Sequence, residues 1–196
     1  MMVKRIVLAA VLAGMALFAW QSISHMVVGL GEVGIREIPN EDAVLAAMRQ
    51  SIPEPGFYFF PGMGLPRNAT KEQRQAAMKQ WEAKYTSGPA GILIYHPRGG
   101  QPMSPKQLLG QLAASMVAAL IAGFLLSRAV GSLPCFALRI GFVVLLGLLP
   151  SVMVHFPYWN WYGFPTSYTL AALTDHILGF AVMGAVLAAF IKQPAT

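Results

Sequence analysis

Four stretches of the chain are apolar around every face of a helix, and one long polar stretch separates the first from the second. The apolar stretches cover residues 6–28, 108–127, 138–154 and 169–191. A helix needs about 20 mostly apolar residues to cross a bilayer core, and apolar side chains on every face suit lipid better than a one-sided core. The pattern predicts a membrane protein, an all-α bundle of four transmembrane helices, with an extracytoplasmic α/β domain over residues 29–107.

The polar stretch predicts short strands that alternate with two helices. Helix starts are indicated by Asn40, by the capping-box spacing from Thr70 to Gln73, and by Ser104-Pro105 before the second span. Strands are predicted around residues 33–38, 57–60 and 90–96, the last two next to Pro-Gly and Gly-Pro breaks. A domain of about 75 residues is marginal by itself, so we expect it to be supported by the membrane helices or by a partner.

Composition agrees with membrane insertion. Of the 196 residues, 56% are hydrophobic and 11% are charged, against about 25% charged in soluble domains. The mean hydropathy is +0.55. These values exclude a disordered chain and argue against a soluble globular protein. The net charge of +6 would suggest nucleic acid in a soluble domain, but the chain has no basic face with interleaved aromatic residues. We therefore predict no nucleic-acid partner.

The basic residues next to the spans predict the topology. Five flank hydrophobic segments without an accompanying acid: Lys4, Arg5, Arg128, Arg139 and Lys192. With a cytoplasmic N-terminus and four spans, all five lie on the cytoplasmic side, as the positive-inside rule requires. The sequence thus predicts a multi-pass protein of a bacterial inner membrane, with both termini and a short tail, residues 193–196, in the cytoplasm.

The first span also has features of a cleaved signal peptide. Lys4 and Arg5 precede an apolar region, as in an exported protein. The best small-residue cleavage site, Ser22-Ile23-Ser24, is weak, and the apolar run resumes after it. We expect an uncleaved anchor. The single cysteine, Cys135, allows neither an intrachain disulfide nor a cysteine-based metal cluster.

Asp175 is the strongest candidate for a functional residue, because it is the only acid inside a predicted span. An ionisable residue in a membrane helix is costly and usually faces the bundle interior. Counted along the helices, Gln21, Ser115 and Ser151 fall near the same level, and His176 follows Asp175 directly. This polar layer has two readings, which the sequence leaves open. It specifies helix packing, or it lines a pocket for a proton, metal, quinone or lipid headgroup.

Metal or haem binding is a third possibility at the same level. His25, His155 and His176 are chemically suitable ligands. No recognised ligand spacing supports a metal site, and neighbouring residues such as Asp175 and His176 point about 100° apart on a helix. The sequence therefore implies no particular cofactor.

The third predicted loop, residues 155–165, is dense in aromatic residues. Tyr158, Trp159, Trp161 and Tyr162 are typical of the belt that anchors helices at the membrane surface. The same loop would also suit a lid or a docking surface for a lipid, quinone or protein. Small residues recur along the second and fourth spans, and they predict close helix contacts within the bundle or with another subunit: Gly110, Ala114, Ala118, Ala122, Ala181, Ala185 and Ala189.

Three motifs of the polar stretch resemble a group of uncharacterised bacterial membrane proteins of about this length. They are the runs at 40–44 and 53–62, and Gly88-Pro89 before Ile94-Tyr95-His96. The resemblance implies an inner-membrane protein and brings no catalytic residue.

Nucleophile-elbow, Walker and dinucleotide-binding motifs are all missing from the sequence. We expect a non-enzymatic accessory or scaffold subunit of a larger membrane complex, in contact with lipid and with a membrane-protein partner or a second copy. The alternative is a small-molecule site in the outer leaflet, centred on Asp175 and His176, for a quinone, haem or proton-coupled solute.

Overall fold

Four long helices dominate the computed structural model, which describes residues 2–192 and is 71% helical. The elements in chain order are α1 (Met2–Met26), α2 (Glu41–Ser51), β1 (Gly56–Phe60), α3 (Lys71–Ser87), β2 (Gly91–Tyr95), α4 (Pro105–Ala129), α5 (Phe136–Tyr162) and α6 (Thr166–Phe190). Helices α1, α4, α5 and α6 are long and apolar enough to cross a membrane. The predicted tail, residues 193–196, lies outside the described residues.

The long helices pack side by side in the order α4, α1, α6, α5, and α4 makes few contacts with α5. Their shared core is built from small residues: Ala9, Ala10 and Ala13 of α1, and Ala119 of α4, are completely buried. Larger core side chains, Leu126, Val143, Met183 and Leu187, fill the space between the backbones. Without a hydrophobic driving force between helices in lipid, such close backbone approach provides the van der Waals contacts that hold spans together.

The small-residue faces differ from the predicted ones. On α4 the buried face is Ser115, Ala119, Ala122, Gly123 and Leu126, so Gly110 and Ala114 of the expected ridge are exposed. On α6 the buried face is Ala171, Asp175, Gly179, Met183, Gly184, Leu187 and Ala188, which does not include the expected alanines. Both buried faces contain glycine, which permits a closer approach than alanine: Gly123 on α4, and Gly179 and Gly184 on α6.

The tightest helix contact joins α5 and α6 at Gly147. A Cβ atom added to Gly147 would lie 2.2 Å from the Phe180 ring. One added to Gly184 would lie 3.1 Å from Val143 of α5. These two glycines let each helix accept a side chain of the other, which fixes the rotation of α6 and hence the direction in which its polar residues point.

Helix α5 is longer than the predicted span. The predicted loop 155–165 is wrong over its first eight residues, because the helix continues to Tyr162 and the chain turns at Gly163, whose φ is 70°. Pro150 and Pro157 lie inside the helix. Prolines are tolerated in apolar helices where neighbouring groups satisfy the freed carbonyls. His155 and the four aromatic residues predicted for the loop are therefore helical.

Arg139, in the first turn of α5, is buried and donates hydrogen bonds to the C-terminal end of α6. Its Nη1 donates to the carbonyl oxygens of Ala188 and Ile191, each at 3.2 Å. The last carbonyls of a helix have no partner within the helix and carry partial negative charge. The guanidinium therefore satisfies the end of α6.

The second compact unit is Arg36–Gly100, and residues 29–35 and 101–107 group instead with the long helices. It contains an antiparallel pair of strands, in which Phe57 lies opposite Ile94. The strand predicted around residues 33–38 is not formed, since the chain turns at Gly34, whose φ is 82°. The α/β character of this unit thus rests on two strands.

Capping residues are confirmed at two of the three predicted helix starts. Thr70 and Ser104 each form a complete capping box, with Pro105 in the first turn of α4. A backbone hydrogen bond and the Thr70 hydroxyl lower the pKa of Glu72 below its ordinary value. Asn40 precedes α2 in a left-handed conformation and makes no side-chain capping bond.

Candidate functional site

A cavity of about 460 Å³ lies among the four long helices. It is formed toward the C-terminal ends of α1 and α5 and by the N-terminal parts of α4 and α6. The predicted polar residues Gln21, His25, His155, Asp175 and His176 all line it, together with Gln111. Apolar side chains complete the wall: Phe18, Met26, Leu30, Met103 and Leu108.

Asp175 is the buried acid of this cavity, with 11% of its side chain exposed. Its Oδ1 accepts a hydrogen bond of 2.9 Å from Nε1 of Trp20 on α1. The indole also lies 3.3 Å from the Asp175 carbonyl oxygen. Trp20 was missed by the sequence reasoning, which searched for ionisable and amide groups. The sequence signal that could have identified Trp20 is its position near the end of an apolar helix, five residues before His25.

The second oxygen of Asp175 faces His25. Oδ2 lies 3.9 Å from His25 Nδ1, which is beyond hydrogen-bond distance. The same Nδ1 lies 3.0 Å from the carbonyl oxygen of Gln21. It also lies 3.0 Å from the Ser24 hydroxyl, so both close polar neighbours of Nδ1 are on α1. His25 itself is half-exposed, with 54% of its side chain accessible.

Gln21 links α1 to α4. Its Oε1 accepts from Gln111 Nε2 at 3.0 Å and from the Ser115 hydroxyl at 3.1 Å. Two of the predicted layer residues are therefore joined directly, and Gln111 is an addition that the sequence reasoning missed. Ser151 is not joined to them: its hydroxyl donates to the carbonyl oxygen of Gly147 in its own helix, at 2.6 Å.

Two imidazoles meet on the other side of the cavity. His155 Nε2 and His176 Nδ1 are 3.2 Å apart, so one of these nitrogens donates to the other. His155 Nδ1 is buried and has no hydrogen-bond partner among the described residues. Within residues 2–192, no group of three or more His, Cys, Asp or Glu side chains is placed to hold a metal ion. The three predicted histidines line one cavity without converging on a single point.

The four predicted aromatic residues are not among those that line the cavity. Tyr158 stacks on Phe164 and meets Tyr162 edge-on. Trp159 Nε1 donates to the Thr166 hydroxyl at 3.1 Å, which ties the end of α5 to the start of α6. Trp161 is 73% exposed. Phe18 and Tyr168 line the cavity instead, and neither was predicted. The Tyr168 ring packs against Phe164 at a tilt of 54°.

The arrangement is suited to binding. An acid, three imidazoles and two amides border a space whose remaining walls are largely apolar. No family model, no curated protein and no solved structure matches the chain. The case for function therefore depends on this geometry.

Proposed function

We propose that the chain is a bacterial inner-membrane protein, with both termini in the cytoplasm, that binds a small molecule in the Asp175 cavity. The molecule would have a polar group directed at Asp175 and an apolar body against the walls of α1 and α4. Of the two hypotheses drawn from the sequence, this proposal prefers the small-molecule site to the accessory subunit. The positions of the five flanking basic residues support the orientation.

The observation that carries the proposal is that Asp175 is buried in an apolar helix with only one of its two oxygens hydrogen-bonded. A carboxylate in a membrane helix costs roughly 2.5 to 3.5 kcal/mol on insertion scales. A purely structural acid would be expected to have both oxygens satisfied by neighbouring helices. Here Oδ2 borders a cavity that is large enough for a ligand.

The size and lining of the cavity fit the same idea. Small-molecule pockets typically measure about 300 to 1,000 Å³ and combine apolar walls with a few placed polar groups. At about 460 Å³ the Asp175 cavity falls within that range. Quinone, haem and a proton-coupled solute are the ligand classes that the sequence suggested, and each has a polar or charged part for this lining.

The experiment compares ligand content in two alanine variants. Ala172 lines the cavity, whereas Ala114 is exposed on α4. Wild type, Ala172→Phe and Ala114→Phe are purified in mild detergent, and small molecules are extracted and identified by mass spectrometry. We expect a molecule that is present in wild type and Ala114→Phe and depleted in Ala172→Phe. Equal content in all three proteins would contradict the proposal.

A second candidate function, the accessory subunit, is favoured by the surface of the Arg36–Gly100 unit. The cross-strand partners Phe57 and Ile94 are 61% and 68% exposed. On α2, a groove of about 450 Å³ is lined by Ala43, Val44, Ala47, Met48 and Ile52. Exposed apolar side chains of this kind are typical of surfaces that another protein covers.

This candidate is tested by co-purification from native membranes in mild detergent. A stoichiometric partner that is lost from the Phe57→Ser/Ile94→Ser double variant would support it. The matched control is Gln80→Ser, an exposed position of α3 in the same unit. Purification of the wild-type chain alone would argue against a subunit role and leave the cavity proposal intact.

A further inference from the structure

We propose that the ligand of the Asp175 cavity is an organic cation with an ammonium group, and that protons compete with it for the Asp175 carboxylate. This inference rests on the proposed function and specifies the ligand class. It is drawn from the hydrogen bonds around Asp175 and from the charges that border the cavity.

The first step concerns the free oxygen of Asp175. Trp20 satisfies Oδ1, but Oδ2 has only the His25 imidazole nearby, at 3.9 Å. The closest polar neighbours of that Nδ1 are the Gln21 carbonyl oxygen and the Ser24 hydroxyl, both on α1. Oδ2 therefore accepts no hydrogen bond from the described residues and lies at the wall of a cavity. A ligand group that donates hydrogen bonds or carries positive charge would complete it.

The second step concerns net charge. Within the described part of the chain, no lysine or arginine nitrogen lies within 4.0 Å of Asp175, and its one ion-pair neighbour is His25. The titratable groups that border the cavity are His25 from α1, His155 from α5, and Tyr168 and His176 from α6, while α4 contributes the neutral Gln111. With these groups neutral, the ionised cavity carries one negative charge, which a monocation balances.

The third step concerns the walls. Phe18 and Tyr168 give the cavity two aromatic side chains, and Met26 and Leu108 add apolar surface. Aromatic faces attract organic ammonium groups, most strongly when the site is desolvated. The apolar surface is available for carbon substituents on the nitrogen. A hydrated inorganic ion would leave that surface without a partner.

The same geometry disfavours the other ligand classes at Asp175. A quinone carbonyl is an acceptor and would place a second acceptor against Oδ2 of the ionised carboxylate. A carboxylate or phosphate ligand would bring a like charge beside a buried carboxylate, which is unfavourable at short distance. A cation replaces the proton that would otherwise neutralise Asp175, so that binding and protonation exclude each other.

The experiment uses a charged probe and its neutral isostere on the full-length protein in detergent. Benzyltrimethylammonium and neopentylbenzene differ only in having nitrogen or carbon at the branched centre. Binding is measured by isothermal titration at pH 8 to wild type, Asp175→Asn, Ala172→Phe and the control Ser151→Ala. The Asn side chain keeps an acceptor for Trp20.

The inference predicts that wild type and Ser151→Ala bind the cation, and that Asp175→Asn binds it about tenfold or more weakly. Lowering the pH weakens cation binding to wild type, approaching about tenfold per pH unit once Asp175 is mostly protonated. In weakly buffered solution, cation binding to the protonated protein releases protons. Asp175→Asn loses this pH dependence and His25→Gln retains it, which separates Asp175 from protonation of the His25 imidazole.

The two proposals fail in different ways. If the cation and the neutral isostere bind equally to wild type and Asp175→Asn, and Ala172→Phe weakens both, the cavity binds ligands but the cation inference is overturned. If only the neutral isostere binds, the cation inference is likewise overturned, although the cavity binds ligands. If neither probe binds, or if Ala172→Phe has no effect on either, the cation inference and its assignment to this cavity both fail.

Discussion

Asp175 of α6 accepts a hydrogen bond from the Trp20 indole of α1, between two largely apolar helices. The indole can only donate and the ionised carboxylate can only accept, so the two groups are complementary. This contact also joins the two helices that occupy the middle of the packing order. At the residue scale, the site is thus defined by a carboxylate with one oxygen hydrogen-bonded to Trp20 and the other bordering the cavity.

Trp20→Phe tests the hydrogen bond from the indole to Asp175 Oδ1. Phenylalanine keeps most of the apolar contact but removes the donor, so we expect the free energy of unfolding to fall by about 1 to 3 kcal/mol. Reversible unfolding in mixed detergent micelles, followed by circular dichroism, measures this change. In an Asp175→Asn background the cost should be smaller, because the bond to a neutral amide is weaker than the bond to a carboxylate. An equal cost in both backgrounds would contradict the role given to this hydrogen bond.

At the scale of elements, glycine positions determine how the long helices meet. Gly147 accepts the Phe180 ring and Gly179 accepts Leu17 and Trp20. The second of these contacts places the indole beside Asp175, four residues earlier on the same face of α6. Helix packing and site geometry therefore have the same origin.

Gly147→Ala and Gly141→Ala form a matched pair on α5. An added Cβ at Gly147 would lie 2.2 Å from the Phe180 ring, whereas one at Gly141 would meet nothing within 4 Å. We expect Gly147→Ala to lower the free energy of unfolding by about 1 to 3 kcal/mol through overpacking. Gly141→Ala should leave it unchanged or raise it by up to about 1 kcal/mol, because alanine favours the helix. Similar effects at both positions would disprove the packing of α5 on α6.

Arg139→Gln and Arg128→Gln compare a buried and an exposed arginine near helix ends. Arg139 satisfies carbonyl oxygens at the end of α6, and Arg128 is exposed in the last turn of α4. Arg139→Gln should cost about 1 to 3 kcal/mol of unfolding free energy, and Arg128→Gln less than about 0.5 kcal/mol. The same unfolding assay measures both. Equal losses would show that Arg139 contributes only as a surface charge.

At the scale of the whole molecule, the four long helices were predictable because each is apolar over more than one face, a signal that needs no tertiary information. Their ends were less predictable. Helix α5 continues through Pro157 to Tyr162, since proline in an apolar helix does not stop it as it does in water. The strand predicted near Val33 fails for a local reason, the positive φ of Gly34.

The sequence predicted several residues of the cavity lining, but neither the complete set nor their pairing. Sequence position along the helices brought Gln21, Ser115 and Asp175 to a common level, but it does not give helix rotation. Rotation separates Ser151 from that group and brings Trp20 and Gln111 into it. The rotation depends on which glycine meets which side chain, and that requires three-dimensional packing.

The predicted topology is tested by cysteine labelling in intact cells. Native Cys135 is exposed between α4 and α5, and the topology places it in the cytoplasm. A membrane-impermeant maleimide should therefore not label the wild-type chain, but it should label Ser87→Cys in a Cys135→Ser background. After membrane disruption, Cys135 should become labelled. Labelling of Cys135 in intact cells would reverse the orientation.

The central claim, that a small molecule enters the cavity beside Asp175, is tested most directly through the Trp20 indole. Of the four tryptophans, Trp20 alone donates to Asp175, and its nitrogen-15 indole signal is identified by its loss in Trp20→Phe. We predict that benzyltrimethylammonium shifts the Trp20 signal saturably and leaves that of Trp81, in the Arg36–Gly100 unit, unmoved. A Trp20 signal that does not respond to this cation, to neopentylbenzene or to a short-chain quinone would contradict the claim.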